Sequence, residues 1–306
     1  MNRHRLILSA AAAVLVTAAG CGNGTPTSPT ATATITTTAA VVTVAPPTSC
    51  SAWAGTQRAS GVTPATGSVA SQREALYAAG GGVRAVSNRY FAAWFPSGWS
   101  SSSPRRVLVG LHGTGGAPET EWSVDWKDIA SSRGWAYVGL KYVDDATGSH
   151  DGDTVIYANL KSTIDALTAS CDFGSPSMFL VGFSRGSAQS FPVAYLDLKD
   201  RRLFKAIGNN SGAWPAGQPM VATMAGFVAR GETTAYSGAK FWMYCGALDM
   251  EHGSPMCDEM RNARTFVLSY GGTVERLYED PTGAHGGLAK NADAWGAMFT
   301  YFEGLR

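Results

Sequence analysis

Short strand-like runs recur from residue 89 onward, and the one over 106–111 is apolar throughout from Val107 instead of alternating. Residues 106–111 (RVLVGL), 135–141 (WAYVGLK), 178–182 (MFLVG), 205–209 (KAIGN), 240–246 (KFWMYCG) and 274–278 (VERLY) are read as strands. Unbroken apolar runs of this length belong to strands covered on both faces. Residues 89–96 (RYFAAWFP) alternate and stop at Pro96, the pattern of an outer hairpin strand. Between these runs the spacing turns helical. Helices are predicted over 122–132, over 154–169 with Asp153 as cap, from residue 185 toward Asp197, and over 291–304. Pro192 falls inside the third of these and is expected to kink it. Strands alternating with helices predict an α/β fold: a mostly parallel sheet, right-handed crossovers and helices on both faces. Residues 211–240 leave room for a short helix and not for a large lid.

Before residue 71 this pattern is missing. Arg3 and Arg5 precede an apolar run over 6–19 that ends at Ala18-Ala19-Gly20-Cys21. The run is too short to span a bilayer and reads as a signal peptide over 1–21. Small residues before Cys21 make a lipobox, with Cys21 the lipidated residue. Ala18 stands where such boxes most often carry Leu, so ordinary cleavage and free secretion is the competing reading. Residues 22–70 are dominated by Thr, Pro, Ala and Ser, a composition that cannot bury enough surface to fold. They read as a tether, followed by one catalytic domain over 71–306. The expected destination is the cell surface, with membrane contact only through the lipid.

Composition narrows the partners. A net charge of +1 with 15% charged residues gives no basic surface for nucleic acid. The acids Asp144, Asp145, Asp151 and Asp153 read as a solvated loop; neither metal nor cofactor is expected, and the chain is taken as a monomer. With Cys21 lipidated, four cysteines remain, an even number in an oxidising compartment. Three pairings are possible. The expected one joins Cys245 to Cys257 across a short loop and Cys50 to Cys171.

The chemistry centres on residues 178–190, MFLVGFSRGSAQS. A buried strand runs into Gly182-Phe183-Ser184-Arg185-Gly186, and helix formers follow. A serine at the apex of a sharp strand–helix turn is held clear of the sheet above a helix N-terminus, where negative charge is favoured. In a chain with 36 glycines the bare pattern is weak, and the strand before and helix after give it its weight.

Tyr90, Trp94-Phe95-Pro96, then Leu111-His112-Gly113 and Gly182-Phe183-Ser184-Arg185-Gly186 resemble the α/β-hydrolases. Within them the likeness is to the secreted esterase branch that includes polyhydroxybutyrate depolymerases and feruloyl esterases. The resemblance covers about residues 85–303. Arg185 and Ser187 depart from it, because that branch usually carries small or glycine residues there. The resemblance implies Ser184 as nucleophile and His285, in the loop after the last strand, as base. It implies Asp249, in the loop after 240–246, as acid, with Glu251, Asp258 and Asp280 as competitors. The order Ser, Asp, His is the order of this fold. Two backbone N–H groups, of Thr114 in His112-Gly113-Thr114-Gly115-Gly116 and of Arg185, would form the oxyanion hole. His112 is expected to brace that loop.

The activity so implied is hydrolysis of small or polymeric carboxylic esters. Trp122 and Trp214, with Trp126 and Tyr142, lie on or near the carboxyl-end loops and offer an aromatic substrate platform, with core and loop packing the favoured reading. Two other functions stay open. A serine peptidase can use the same three residues, and a catalytically silent surface lipoprotein could keep the pocket and bind a ligand.

Overall fold

The computed structural model describes residues 48–62, 64–99, 104–213, 221–251 and 253–305. The expected signal segment, Cys21, residues 22–47 of the tether, and Trp214 lie outside the described residues. One compact unit spans Pro46–Arg306.

Eight strands form a single sheet in the order β1-β2-β4-β3-β5-β6-β7-β8. They are β1 (Gly82–Val86), β2 (Arg89–Trp94), β3 (Arg106–Leu111), β4 (Ala136–Leu140), β5 (Ser177–Phe183), β6 (Phe204–Asn210), β7 (Lys240–Gly246) and β8 (Thr273–Asp280). Only β2 runs against its neighbours, pairing antiparallel with both β1 and β4; every pair from β4 to β8 is parallel. Parallel strands need long crossovers, and the helices that supply them cover both faces. On one face lie α1 (Cys50–Thr56), α5 (Asp153–Ser170), α6 (Arg185–Lys199), α7 (Ala222–Ala229) and α8 (Met256–Ser269). On the other lie α2 (Gly67–Ala78), α3 (Pro118–Glu121), α4 (Lys127–Arg133) and α9 (Ala292–Gly304). In β3, Val107, Val109 and Leu111 face the first layer and Leu108 the second, all fully buried. That explains why β3 reads as an unbroken apolar run.

Several expectations need correction. The strand over 89–96 is not the outermost: β1 lies outside it, joined through a tight turn in which Ser87 has φ 50°. β1 is only five residues of mixed polarity and carries no clear period. Asp153 is the first residue of α5 and not its cap; Gly152 holds the cap position, and the Asp153 carboxylate accepts from Thr223 N at 3.2 Å. α6 continues through Pro192 to Lys199. The packed chain also begins earlier than residue 71. In α1, Cys50, Trp53 and Ala54 are buried, and Arg58 bridges to Val83 of the outer strand.

Two disulfides are present, Cys50–Cys171 and Cys245–Cys257. The first ties the start of α1 to the end of α5. The second closes a loop of 12 residues between β7 and α8. Among the described residues no helix is long and apolar enough to cross a membrane.

Candidate active site

Ser184 stands between β5 and α6 with φ 52° and ψ −118°, a backbone region that L-residues rarely adopt. The turn is possible only because its flanks lack side chains. A Cβ on Gly186 would lie 1.8 Å from the Leu111 carbonyl oxygen, and one on Gly182 would lie 2.2 Å from that of Gly186. The Ser184 N–H donates to Asn210 O at 2.8 Å, locking the elbow to β6. Ser187 is buried and donates to Gly212 O at 2.5 Å, fastening α6 to the loop after β6. The Ser184 hydroxyl itself makes no hydrogen bond among the described residues and is half-buried.

The loop after β3 borders this serine: the Cβ position on Gly113 lies 3.3 Å from Ser184 Cβ. Three side chains hold its carbonyls. Tyr142 OH donates to His112 O, His112 Nδ1–H donates to Gly113 O at 2.7 Å, and Lys141 Nζ donates to Gly116 O at 2.9 Å. With Gly116 N donating to Gly113 O at 3.0 Å, the N–H groups of Thr114 and Gly115 have no acceptor among the described residues. Arg185, the first residue of α6, has an N–H without an intrahelical partner by geometry. His112 is fully buried, and burial, reinforced by Lys141 and His150, lowers its pKa to about 3 against the opposing bond to Gly113. Its ring is therefore neutral, and its job is to brace the loop.

Asp249 and His285, the expected acid and base, come from the loops after β7 and β8. His285 Nδ1 lies 2.7 Å from Asp249 Oδ2, and the carboxylate is 1% exposed against 22% for the imidazole. Asp249 Oδ1 accepts from Glu251 N at 3.2 Å. The His285 ring packs on Phe183, the neighbour of Ser184, with centroids 4.9 Å apart. The other acids are engaged elsewhere. Glu251 is exposed and Asp258 pairs with Arg261.

Asp280 has a role the sequence did not suggest. It is buried at the end of β8 and accepts from Tyr244 OH (2.9 Å), Asn291 Nδ2 (2.7 Å), Thr282 N (3.0 Å) and Thr282 Oγ1 (3.1 Å). Burial opposes its ionisation, but the bonds from Asn291, Thr282 and Tyr244 prevail and hold its pKa below the usual carboxylate range. The main chain joins the same loops, with Ala247 N on Asp280 O at 2.8 Å and Leu248 N on Gly283 O at 2.9 Å. Asp280 thus knits the turn that carries His285 to the strand that leads into Asp249.

Three of the four aromatics considered for a substrate platform pack into the core instead. Trp122 is fully buried, packed 6.1 Å from Trp94, and Trp126 and Tyr142 are buried as well. Trp122 and Trp126 bracket a π-helical turn and both face the core. Leu248 and Met250, on either side of Asp249 in the sequence, are among the large apolar side chains left exposed, at 65% and 54%. Among the described residues no group of three or more His, Cys, Asp or Glu could hold a metal ion. Asp144 and Asp151 are taken by Arg89, and Asp145 by Lys141.

No family model and no curated protein matches this chain. Solved structures do match it. One of two Rhizomucor miehei fungal esterases is 14% identical, with a TM-score of 0.52 over 72% of this chain and 80% of the other. Esterase Est22 is 11% identical, with a TM-score of 0.52 over 72% and 79%. The 2,6-dihydroxy-pseudo-oxynicotine hydrolase is 12% identical, with a TM-score of 0.52 over 73% and 67%. Identities this low speak to architecture alone. Together with the mostly parallel eight-stranded sheet, they show that this chain has the α/β-hydrolase fold.

Proposed function

We propose that this protein is an exported serine esterase that cleaves carboxylic esters through an acyl-enzyme. The observation that carries the reading is the Asp249–His285 pair at 2.7 Å, packed against the residue before a serine in a strained elbow. In this mechanism Ser184 Oγ attacks the ester carbonyl and His285 Nε2 takes its proton. Asp249 fixes the Nδ1–H tautomer and stabilises the imidazolium. The N–H groups of Arg185 and Thr114 receive the oxyanion. The alcohol leaves with the proton from His285, and water activated by the same ring releases the acid. The Ser184–His285 hydrogen bond forms as substrate fills the site, as catalytic bonds commonly tighten on binding.

The resemblance to polyhydroxybutyrate depolymerases and feruloyl esterases suggests polyester or plant-polymer esters, with exposed Leu248 and Met250 offering apolar surface at the rim. The two disulfides support export, and Cys21 is the proposed point of lipid attachment. Hydrolysis of a p-nitrophenyl ester series tests the chemistry. Ser184→Ala and His285→Ala should each lower kcat by about 10⁴–10⁶, with the double variant little worse. Asp249→Asn should lower it by roughly 10²–10⁴. Near-normal turnover by Ser184→Ala would end the proposal. Mass spectrometry of the mature N-terminus tests the lipid, which an unmodified terminus beyond Cys21 would exclude.

A further inference from the structure

Phe183 is the last residue of β5 and stands between the two halves of the site. Alternation along the strand puts it on the same face as Phe179 and Val181, which are buried in the layer that holds α9. The chain then turns away at Ser184 into α6 and leaves the Phe183 ring half-buried at the end of the sheet. Three groups close on the ring there. A Cβ on Gly113 would lie 3.0 Å from Cδ1 and from Cε1. A Cβ on Gly286 would meet a different edge, 3.0 Å from Cε2 and 3.1 Å from Cζ. The imidazole of His285 lies alongside, with centroids 4.9 Å apart and planes inclined at 49°.

Each of the two loops that meet the ring is braced within its own side. Tyr142, His112 and Lys141 hold the carbonyls of residues 112–116, and Asp280 holds the His285 turn through Thr282 and Asn291. Among the described residues no hydrogen bond, ion pair or disulfide joins residues 112–116 to residues 282–287. What spans the gap is the Phe183 ring. It also completes the fixing of the base. The bond from His285 Nδ1 to Asp249 sets the place of one atom and leaves the imidazole free to swing about it. An aromatic ring packed against the imidazole at this spacing opposes that swing. Gly113 carries the same message from the other side. Its φ is not positive, so its backbone suits any residue, and what a side chain would meet there is the Phe183 ring and Ser184 Cβ at 3.3 Å.

We propose that Phe183 is a positioning residue: its ring is the spacer that holds the oxyanion loop and the His285 turn at a fixed separation over Ser184. This rests on the esterase reading above, with Ser184 as the attacking group. With the ring in place, His285 Nε2 and the backbone N–H groups of Thr114 and Arg185 converge on the same ester carbonyl. With a smaller or more pliant side chain the two sides drift relative to each other, and the loss falls on the chemical step.

The test is a double-mutant cycle on the full chain with Phe183→Leu and Gly113→Ala, read as 4-nitrophenyl butyrate hydrolysis per site titrated with a fluorophosphonate. Titration removes any loss due only to a smaller folded fraction. Phe183→Leu should lower kcat by about 10–100-fold and leave KM within about 2-fold. Gly113→Ala should lower kcat by about 10-fold or more in the wild-type background, where the new methyl presses on the ring, and by no more than about 3-fold in Phe183→Leu, where the neighbour can yield. Phe183→Met, which fills the gap without a flat ring, replaces Phe183→Leu in the cycle if the leucine variant does not fold. A kcat unchanged in Phe183→Leu, a change confined to KM, or an equal cost of Gly113→Ala in both backgrounds would overturn the assignment. Ser184-dependent hydrolysis by the wild type in those cases leaves the esterase reading standing. Absence of such hydrolysis in the wild type removes both.

Discussion

On the side of Ser184, the proposed nucleophile, main chain is set against main chain. Ser184 is fixed by the approach of Gly182, Gly186 and Leu111 and by its own N–H on Asn210. On the side of His285, the proposed base, side chains do the fixing. Asp280 gathers Tyr244, Thr282 and Asn291, Asp249 orients His285, and Cys245–Cys257 closes the loop between them. The contrast follows from the tasks. A nucleophile needs one unvarying backbone posture, whereas a base needs an oriented ring and tolerates exchange of the groups behind it. The first side should therefore fail abruptly on substitution, and the second by degrees.

Gly186→Ala should have the largest effect. With a backbone oxygen 1.8 Å from the new carbon, the elbow must open, at a cost on the order of 4 kcal/mol or more. Chemical denaturation and ester turnover should both register it, and a variant of native stability would break the comparison. Removing the second disulfide with Cys245→Ser and Cys257→Ser should cost about 2–4 kcal/mol in the same denaturation experiment. The nucleophile should still react with a fluorophosphonate, though more slowly.

Asp280→Asn is next. Asparagine keeps the size but loses acceptors for Tyr244 and Asn291, so His285 should wander and kcat fall by about 10–100-fold, with KM little changed. Steady-state kinetics decide it; a rise in KM alone would assign Asp280 to substrate binding.

The smallest effect concerns His112 and pH. Its folded pKa of about 3 lies below the unfolded value of 6.5, so between those values only the unfolded chain takes the proton. Its contribution is complete above pH 6.5 and is lost as pH falls toward 3. The stability gap between wild type and His112→Gln should shrink by about 2 kcal/mol from pH 7 to pH 5. Urea unfolding at the two pH values measures this, and a constant gap would show that His112 titrates normally.

The strands of the parallel region were legible in sequence because burial on both faces leaves unbroken apolar runs, as in β3 and β7. The elbow was legible because its glycines are a local requirement. What escaped depends on contacts distant in the chain. β1 shows no period, because only its pairing with β2 makes it a strand. α1 sits in Ala- and Thr-rich sequence and is distinguished only by Cys50 and Trp53, whose partners Cys171 and Phe91 lie far along the chain. Trp122 lies near the expected site in sequence, yet the turn it shares with Trp126 directs both rings inward. The resemblance favours Asp249 as the acid, with Asp280 among its competitors. Only the fold shows which of them reaches His285.

The Cys50–Cys171 bond has a mechanical consequence. At the start of the compact unit, Thr48 O accepts from Asp172 N at 2.9 Å, and two residues later Cys50 is covalently joined to Cys171. Tension applied from the N-terminal side passes straight across this covalent link to the segment leading into β5. The 121-residue loop that the bond closes, which includes β1 to β4 and the Thr114 turn, is bypassed by the load. While the bond is oxidised, a pull cannot peel the outer strands away one by one. Reduction would reroute the same force through α1 and β1, turning a shear-resistant attachment into one that unzips from the edge.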